Sequence, residues 1–476
     1  MKLRQILAAI CVWAFSWTQV AWADADPMAN LTSLVQQLQK QMEQMQRVID
    51  QQNEKIRSIE KREPQIEVAG PGDVEKADPL KEKQKFATNL KEKIGDADLW
   101  LKDLKFSGDF RLRYEAFDFT SGHPTETDPR NRFRFRLRYG FEKTLLPDMK
   151  VGFYLSSGST SDPTSTNETF DGNFVYKTTV IERAFAAYTP SWAKIGPIEK
   201  FEITGGKFKN PFETGSSEIV WDRDVRPEGI YQKVDFRLLD MEDLKITGYA
   251  TAGQFILDED GTLGSGTKGG DAELWAVQVG LNPKFKTPFA DKPISWLLAA
   301  SYYGYSGYAE KSNFGAFARG NPNITGSATE LDAGRFHLLE LYNEVKIPLF
   351  DPLPSLRLFY DWVVNGGEDA PARSMGGADD AWAIGAKLGE AKTKGNWEIG
   401  YEYRYIDPNS VPGAFNDSDF GNGHSDKRGS VIKAKYMLTD SLELGASVFL
   451  VNNISADSIL IDEEQRRFQL DLAWKF

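Results

Sequence analysis

Phe468-Gln469-Leu470-Asp471-Leu472-Ala473-Trp474-Lys475-Phe476 closes the chain, and its reading decides the fold. Phe468, Leu470, Leu472, Trp474 and Phe476 recur at every second position, so in a strand they share one face. Gln469, Asp471, Ala473 and Lys475 take the other. A soluble sandwich strand can read the same way, but it would rarely finish the polypeptide on an exposed aromatic. A strand with hydrocarbon on one side and water on the other accommodates both faces.

The same alternation runs back to residue 105. The clear strand segments are 106–117, 132–142, 150–155, 229–238, 244–252, 273–281, 296–304, 356–364, 381–388, 397–405, 430–438, 442–450 and 465–476, with weaker ones at 179–188, 201–208 and 335–347. Short turns, such as 145–148, 240–243 and 438–441, alternate with long Gly-, Asn-, Asp- and Ser-rich loops at 157–177, 256–270, 306–334 and 407–427. Nothing after Asp24 holds 18 consecutive apolar residues, so no membrane-spanning helix is available. A closed barrel is the other structure that satisfies every backbone group in lipid. The fold class expected is therefore an all-β membrane protein: an up-and-down antiparallel transmembrane β-barrel of about 16 strands.

Alternation also assigns the lumen. Phe106, Phe110, Leu112 and Tyr114 oppose Asp109, Arg111, Arg113 and Glu115, while Phe133, Phe135, Leu137, Tyr139 and Phe141 oppose Arg132, Arg134, Arg136, Arg138 and Glu142. Six arginines on neighbouring strands cannot face hydrocarbon, where each costs about 2–4 kcal/mol at the midplane. A barrel of this size leaves a water-filled channel that accepts them. The same rule turns Lys387, Glu398, Glu402, Arg404, Lys433, Lys435, Arg467, Asp471 and Lys475 inward. On these strands twelve basic residues meet six acidic ones, so the wall is more cationic than the acidic chain. The plainer alternative is that these charges only solvate the wall.

At the other end, Lys2 and Arg4 precede the apolar run 6–15, and Ala21-Trp22-Ala23 supplies a cleavage site. Residues 1–23 read as a secretory signal peptide. They contain Cys11, the only cysteine, so the mature chain has no thiol. Removing Lys2 and Arg4 takes the formal charge from -12 to -14, which disfavours nucleic acid as a partner. In the 24–63 segment Leu31, Val35, Leu38, Met42, Met45, Ile49, Gln52, Ile56 and Ile59 follow a heptad seam, the pattern of an N-terminal α-helical coiled coil and hence of an oligomer. A lone amphipathic helix would usually be shorter and wider-striped. Residues 64–104 read as a linker with a short charged helix, and 105–476 as the barrel.

The connection after the fifth strand stands apart: Asn210-Pro211-Phe212-Glu213, then Ile219-Val220-Trp221-Asp222-Arg223-Asp224-Val225-Arg226-Pro227-Glu228-Gly229. An ordinary outer loop has little use for Phe212, Ile219, Val220 and Trp221, whereas a loop folded into a barrel can pack them on the wall. In position and composition it resembles the third loop of Gram-negative outer-membrane general porins. With its Gly205-to-Phe212 approach, it resembles porins that carry an N-terminal periplasmic coiled coil. The resemblance implies an outer-membrane location and passive diffusion of small hydrophilic solutes or ions. It also implies a homo-oligomer, as a trimer, in outer-membrane lipid, and an inward-folded constriction loop. The expected pore-lining residues are Arg111, Arg113, Arg132, Arg134, Arg136, Arg138, Glu213, Glu218, Asp222, Arg223, Asp224, Arg226 and Glu228. The terminal Trp474-Lys475-Phe476 resembles the signal that the barrel-assembly machinery reads. The coiled coil suggests peptidoglycan contact, and the alternative function is a barrel anchor whose coil tethers the cell wall or a partner complex.

Catalytic signals are weak. His123, His337 and His424 are far apart, and no G-x-S-x-G, HExxH or phosphate-cradling loop occurs. A barrel hydrolase would need a lipid-facing Ser/His pair that the sequence does not reveal. Asp258-Glu259-Asp260-Gly261 and Asp417-Ser418-Asp419 lack the full ligand spacing of a Ca²⁺ loop and read as solvated turns. No enzyme activity, cofactor or metal is expected.

Overall fold

The computed structural model describes residues 103–120, 129–212, 215–259, 271–287, 290–308, 321, 336–349, 355–367, 378–454 and 464–476. The expected signal peptide and coiled coil, and nearly all of the linker, lie outside the described residues, as does Glu213.

Period-2 alternation produces strands throughout: β1 (Leu104–Thr120), β2 (Arg130–Leu146), β3 (Met149–Ser157), β4 (Glu168–Thr169), β5 (Thr179–Tyr188), β6 (Ile198–Lys207), β7 (Glu228–Asp240), β8 (Leu244–Asp258), β9 (Ala272–Thr287), β10 (Ala290–Ser306), β11 (His337–Pro348), β12 (Ser355–Asn365), β13 (Asp380–Gly389), β14 (Trp397–Ile406), β15 (Lys427–Met437), β16 (Leu442–Asn453) and β17 (Glu464–Lys475). β4 is a two-residue strip that pairs with Arg134 and Phe135 of β2. The other sixteen are the wall, one for each expected segment.

Neighbouring wall strands pair antiparallel, and β1 bonds to both β2 and β17, which closes the sheet. At the seam the Gly108 N–H donates to the Phe476 carbonyl at 2.8 Å, and the Phe476 N–H returns to Gly108 at 3.1 Å. Gly108 is required here, because a Cβ would lie 2.3 Å from the Arg138 carbonyl and 2.7 Å from the Phe476 ring. Both chain ends of the barrel lie on the side of the short turns, and the long loops lie on the other.

Leu112, Tyr139, Val279, Leu341, Ile384, Ile432 and Leu470 are exposed on the outward face. Their register partners share that face, as Leu472 and Phe135 do with Leu112, and the residues flanking them in sequence point inward, to a lumen that is not empty. Its buried apolar cluster joins Phe208, Phe212, Ile219, Val220 and Trp221 to Phe255, Leu274, Tyr303, Leu338 and Tyr342 of the wall. Burying such side chains contributes about 1.5–3 kcal/mol each, which holds a loop against the wall where water would otherwise solvate it.

Candidate constriction zone

The 208–227 loop crosses the lumen and touches five parts of the wall in turn. Phe212 packs edge-on against Phe255 (5.7 Å) and Tyr303 (5.8 Å). Next, the Ser216 N–H donates to the Tyr342 hydroxyl at 2.8 Å, and the Ser216 hydroxyl to Glu344 at 2.9 Å, both on β11. Gly215 (φ 56°) permits this approach, since a Cβ there would meet the Tyr342 oxygen at 2.2 Å. Glu218 then faces Arg223 (3.2 Å) and Lys433 of β15 (3.4 Å). Asp224 reaches Arg138 of β2 at 3.0 Å and lies 3.9 Å from Arg136. Arg226 finally forks onto Glu182 of β5.

A second loop shares the lumen, and its role was not anticipated. Residues 407–426 are mostly buried, with Asn409, Ser410, Val411, Asn416 and Phe420 at 0–1 % exposure. The Asp222 N–H donates to the Phe415 carbonyl at 2.7 Å, and the Ser418 N–H to the Asp222 carboxylate at 2.8 Å. Trp221 lies 5.7 Å from the Phe415 ring. Asn321 clasps the loop from a third direction: its amide nitrogen donates to the carbonyls of Pro408 and Val411, and its oxygen accepts from the Gly413 N–H. The 158–178 loop adds Thr166, which donates to Asp224, and the Thr164 carbonyl, which accepts from Ser418.

This corrects the reading of Asp417-Ser418-Asp419 as a solvated turn. Asp417 pairs with the fully buried Arg404 at 2.6 Å, and Asp419 with Arg113 (2.9 Å) and Arg467 (3.0 Å). The carboxylates turn inward because the cationic wall offers them charge partners that an outer turn lacks. Among the described residues no group of three or more His, Cys, Asp or Glu is placed to hold a metal.

The arginines of β1 and β2 share one face of the wall. Cross-strand register sets Arg111 opposite Arg136, Arg113 opposite Arg134, Glu115 opposite Arg132 and Asp109 opposite Arg138. Asp109 binds Arg136 and Arg138, Glu115 binds Arg132, and Asp471 forks onto Arg113 through both oxygens. Together with Arg467, this wall and its facing loops set seven arginines against Asp109, Glu115, Asp224, Asp419 and Asp471.

Glu228 does not join this zone. It begins β7, pairs with Lys207, and shares a face with the exposed Ile230 rather than with the inward Tyr231. The strand has already started there, so alternation turns the carboxylate away.

Among the loop acids, burial opposes ionisation of Asp224, but Arg136, Arg138 and Arg226 hold its carboxyl well below the usual range. Asp419 behaves alike through Arg113 and Arg467. Burial also works against Glu218, yet Arg223, Lys433 and Arg404 pull it down to about 2. Asp222 goes the other way: burial raises it, and so do Asp224, Asp417 and Glu218 around it. The loops therefore carry fixed negative charge at Asp224, Asp419 and Glu218, and least at Asp222.

A closed sixteen-stranded barrel with apolar outside, charged inside and loops folded into its lumen defines an outer-membrane channel of the porin class. The family model described as "Putative porin" matches residues 123–333 and 331–476, and the chain belongs to that family. It is an outer-membrane porin, and its location is the bacterial outer membrane. No curated protein matches it. Similar solved structures include Pseudomonas putida OprB at high pH (11% identity, 80% of this chain and 96% of that one, TM-score 0.47). The outer-membrane channel DcaP of Acinetobacter baumannii is 12% identical over 79% of this chain and 97% of its own, at TM-score 0.41. A loop-deletion mutant of Vibrio cholerae OmpT is 12% identical over 79% and 100%, at TM-score 0.39.

Proposed function

We propose that small hydrophilic solutes and ions pass, without catalysis, through the part of the lumen that the arginine face of β1, β2 and β17 and the two interlocked loops leave open. The observation that carries this reading is the Arg138–Asp224 contact at 3.0 Å, which supports a 208–227 loop pinned to the charged wall so that the lumen narrows beside it. Fixed charges of opposite sign lining the opening that remains set up a field that orients dipolar solutes and sets ion preference.

The test is the reversal potential of the reconstituted channel in a salt gradient. Replacing Arg134 and Arg136 with Ser removes positive charge and is expected to shift permeability toward cations. Asp224→Asn is expected to shift it toward anions, and by more than Asp222→Asn, because Asp222 carries less charge. Selectivity unchanged in every variant would put these residues off the ion path.

The protein is further proposed to work as a homo-oligomer, as a trimer, reinforced by the heptad segment. Deleting residues 31–63 should then lower the temperature at which the detergent-solubilised oligomer dissociates. An oligomer of unchanged thermal persistence would leave the heptads without that role.

A further inference from the structure

The seven arginines of the wall outnumber the five carboxylates that face them, and the shortfall is localised. Asp471 is taken up by the Arg113 fork, so Arg111 stands 3.7 Å from it. Glu115 serves Arg132 and Gln469, leaving Arg134 at 3.9 Å. Glu182, which lies 4.0 Å from Arg138, is held by Arg226. The hydrogen bonds of Arg111 and Arg134 go instead to neutral oxygens of Asn167 and Ser165. Arg111 Nη2 donates to Asn167 Oδ1, while Arg134 Nη2 donates to the Asn167 carbonyl at 3.3 Å and to Ser165 Oγ at 3.4 Å. The Nε atoms of both arginines have no hydrogen-bond partner among the described residues. Their side chains keep 12% and 13% of their exposure, so the lumen reaches them.

We infer that Arg111 and Arg134, with Asn167 and Ser165, form an oxyanion-binding subsite in the wall of the channel. Its ligand is a small carboxylate or phosphate carried by a passing solute. A guanidinium fork gains more from an anionic pair of oxygens than from an amide, because a full negative charge adds Coulomb attraction and two oxygens match the fork in a bidentate pair. The Asn167 side chain therefore acts as a neutral place-holder that an incoming oxyanion displaces from Arg111. Two adjacent guanidiniums also repel each other, and a bound anion relieves that repulsion. This assignment rests on the porin reading for its biological use, but not for its chemistry.

Calorimetric titration of the detergent-purified full chain with sodium phosphate, and separately with sodium succinate, tests binding without requiring conduction. Saturable uptake of either is expected; uptake of both marks a general oxyanion site, and of one alone assigns its class. Asn167→Asp should abolish uptake while leaving the barrel folded, since it installs a carboxylate between the two arginines. Arg111→Gln should weaken uptake by about tenfold, the loss of one charge-assisted interaction. No uptake by the wild-type protein, or uptake undiminished in both variants, overturns the subsite. Uptake in a protein that forms no conducting channel in planar bilayers would keep the subsite and overturn the porin reading instead.

Discussion

Replacing residues 411–423 with a Gly-Gly link is expected to raise single-channel conductance several-fold and to move selectivity toward anions. The base of this loop is already closed, because the Ser425 hydroxyl donates to the Pro408 carbonyl at 3.0 Å, so a short link can join its two ends. What is removed is buried material in the lumen: Val411, Ala414, Asn416, Asp417 and Phe420 are each at most 5 % exposed. A sixteen-stranded barrel has room for an aqueous channel only where side chains and loops leave it. The excision also takes Asp417 from Arg404 and Asp419 from Arg113 and Arg467, which leaves each of these guanidiniums one acidic partner fewer. It frees the 208–227 loop as well, since Asp222 loses the Phe415 carbonyl and the Ser418 N–H. Glu402 still pairs with Arg404, so the wall itself should hold. A folded variant with wild-type conductance would mean that the 407–426 loop does not obstruct the path.

The wall was legible in the sequence because side-chain period and strand period coincide. In a closed sheet a residue's parity decides whether it meets lipid or water, so Arg111 to Arg138 could be turned inward from spacing alone. The 208–227 loop was legible for a different reason. Phe212, Ile219, Val220 and Trp221 are costly in water, and their presence in a connection demanded a surface to cover.

The 407–426 loop gave no comparable signal. Its buried members are largely Asn, Ser, Asp and Gly, the composition of a solvated loop. What satisfies them is Asn321, Asn365, Arg404 and Asp222, partners 13 to 196 residues distant in sequence and brought in by the fold. Phe415 and Phe420 were the only hint. The difference between Arg111 and Arg113 was equally hidden. Both share one face of β1, and only the register with β17 sets Asp471 opposite Arg113 and Ala473 opposite Arg111.

Phe476→Asp should leave export and signal cleavage intact but abolish most of the folded, heat-modifiable barrel in the cell. The Phe476 ring lies over Gly108 at the closing seam and keeps 65% exposure, at the turn side of the barrel where an aromatic girdle meets the interface. Trp474, beside it on the same face, lies 6.3 Å from Phe110 of β1. The seam's hydrogen bonds use only the backbone of residue 476, so an aspartate there does not remove them. Purified Phe476→Asp is therefore expected to refold in detergent nearly as well as the wild type, and the defect in cells to reflect lost recognition by the assembly machinery. Gly108→Val separates the two causes, because its side chain would clash with the Arg138 carbonyl and should prevent closure in both settings. Surface-exposed, heat-modifiable Phe476→Asp at wild-type levels in cells would remove the assembly role. Failure of Phe476→Asp to refold in detergent would assign the residue to closure of the barrel instead.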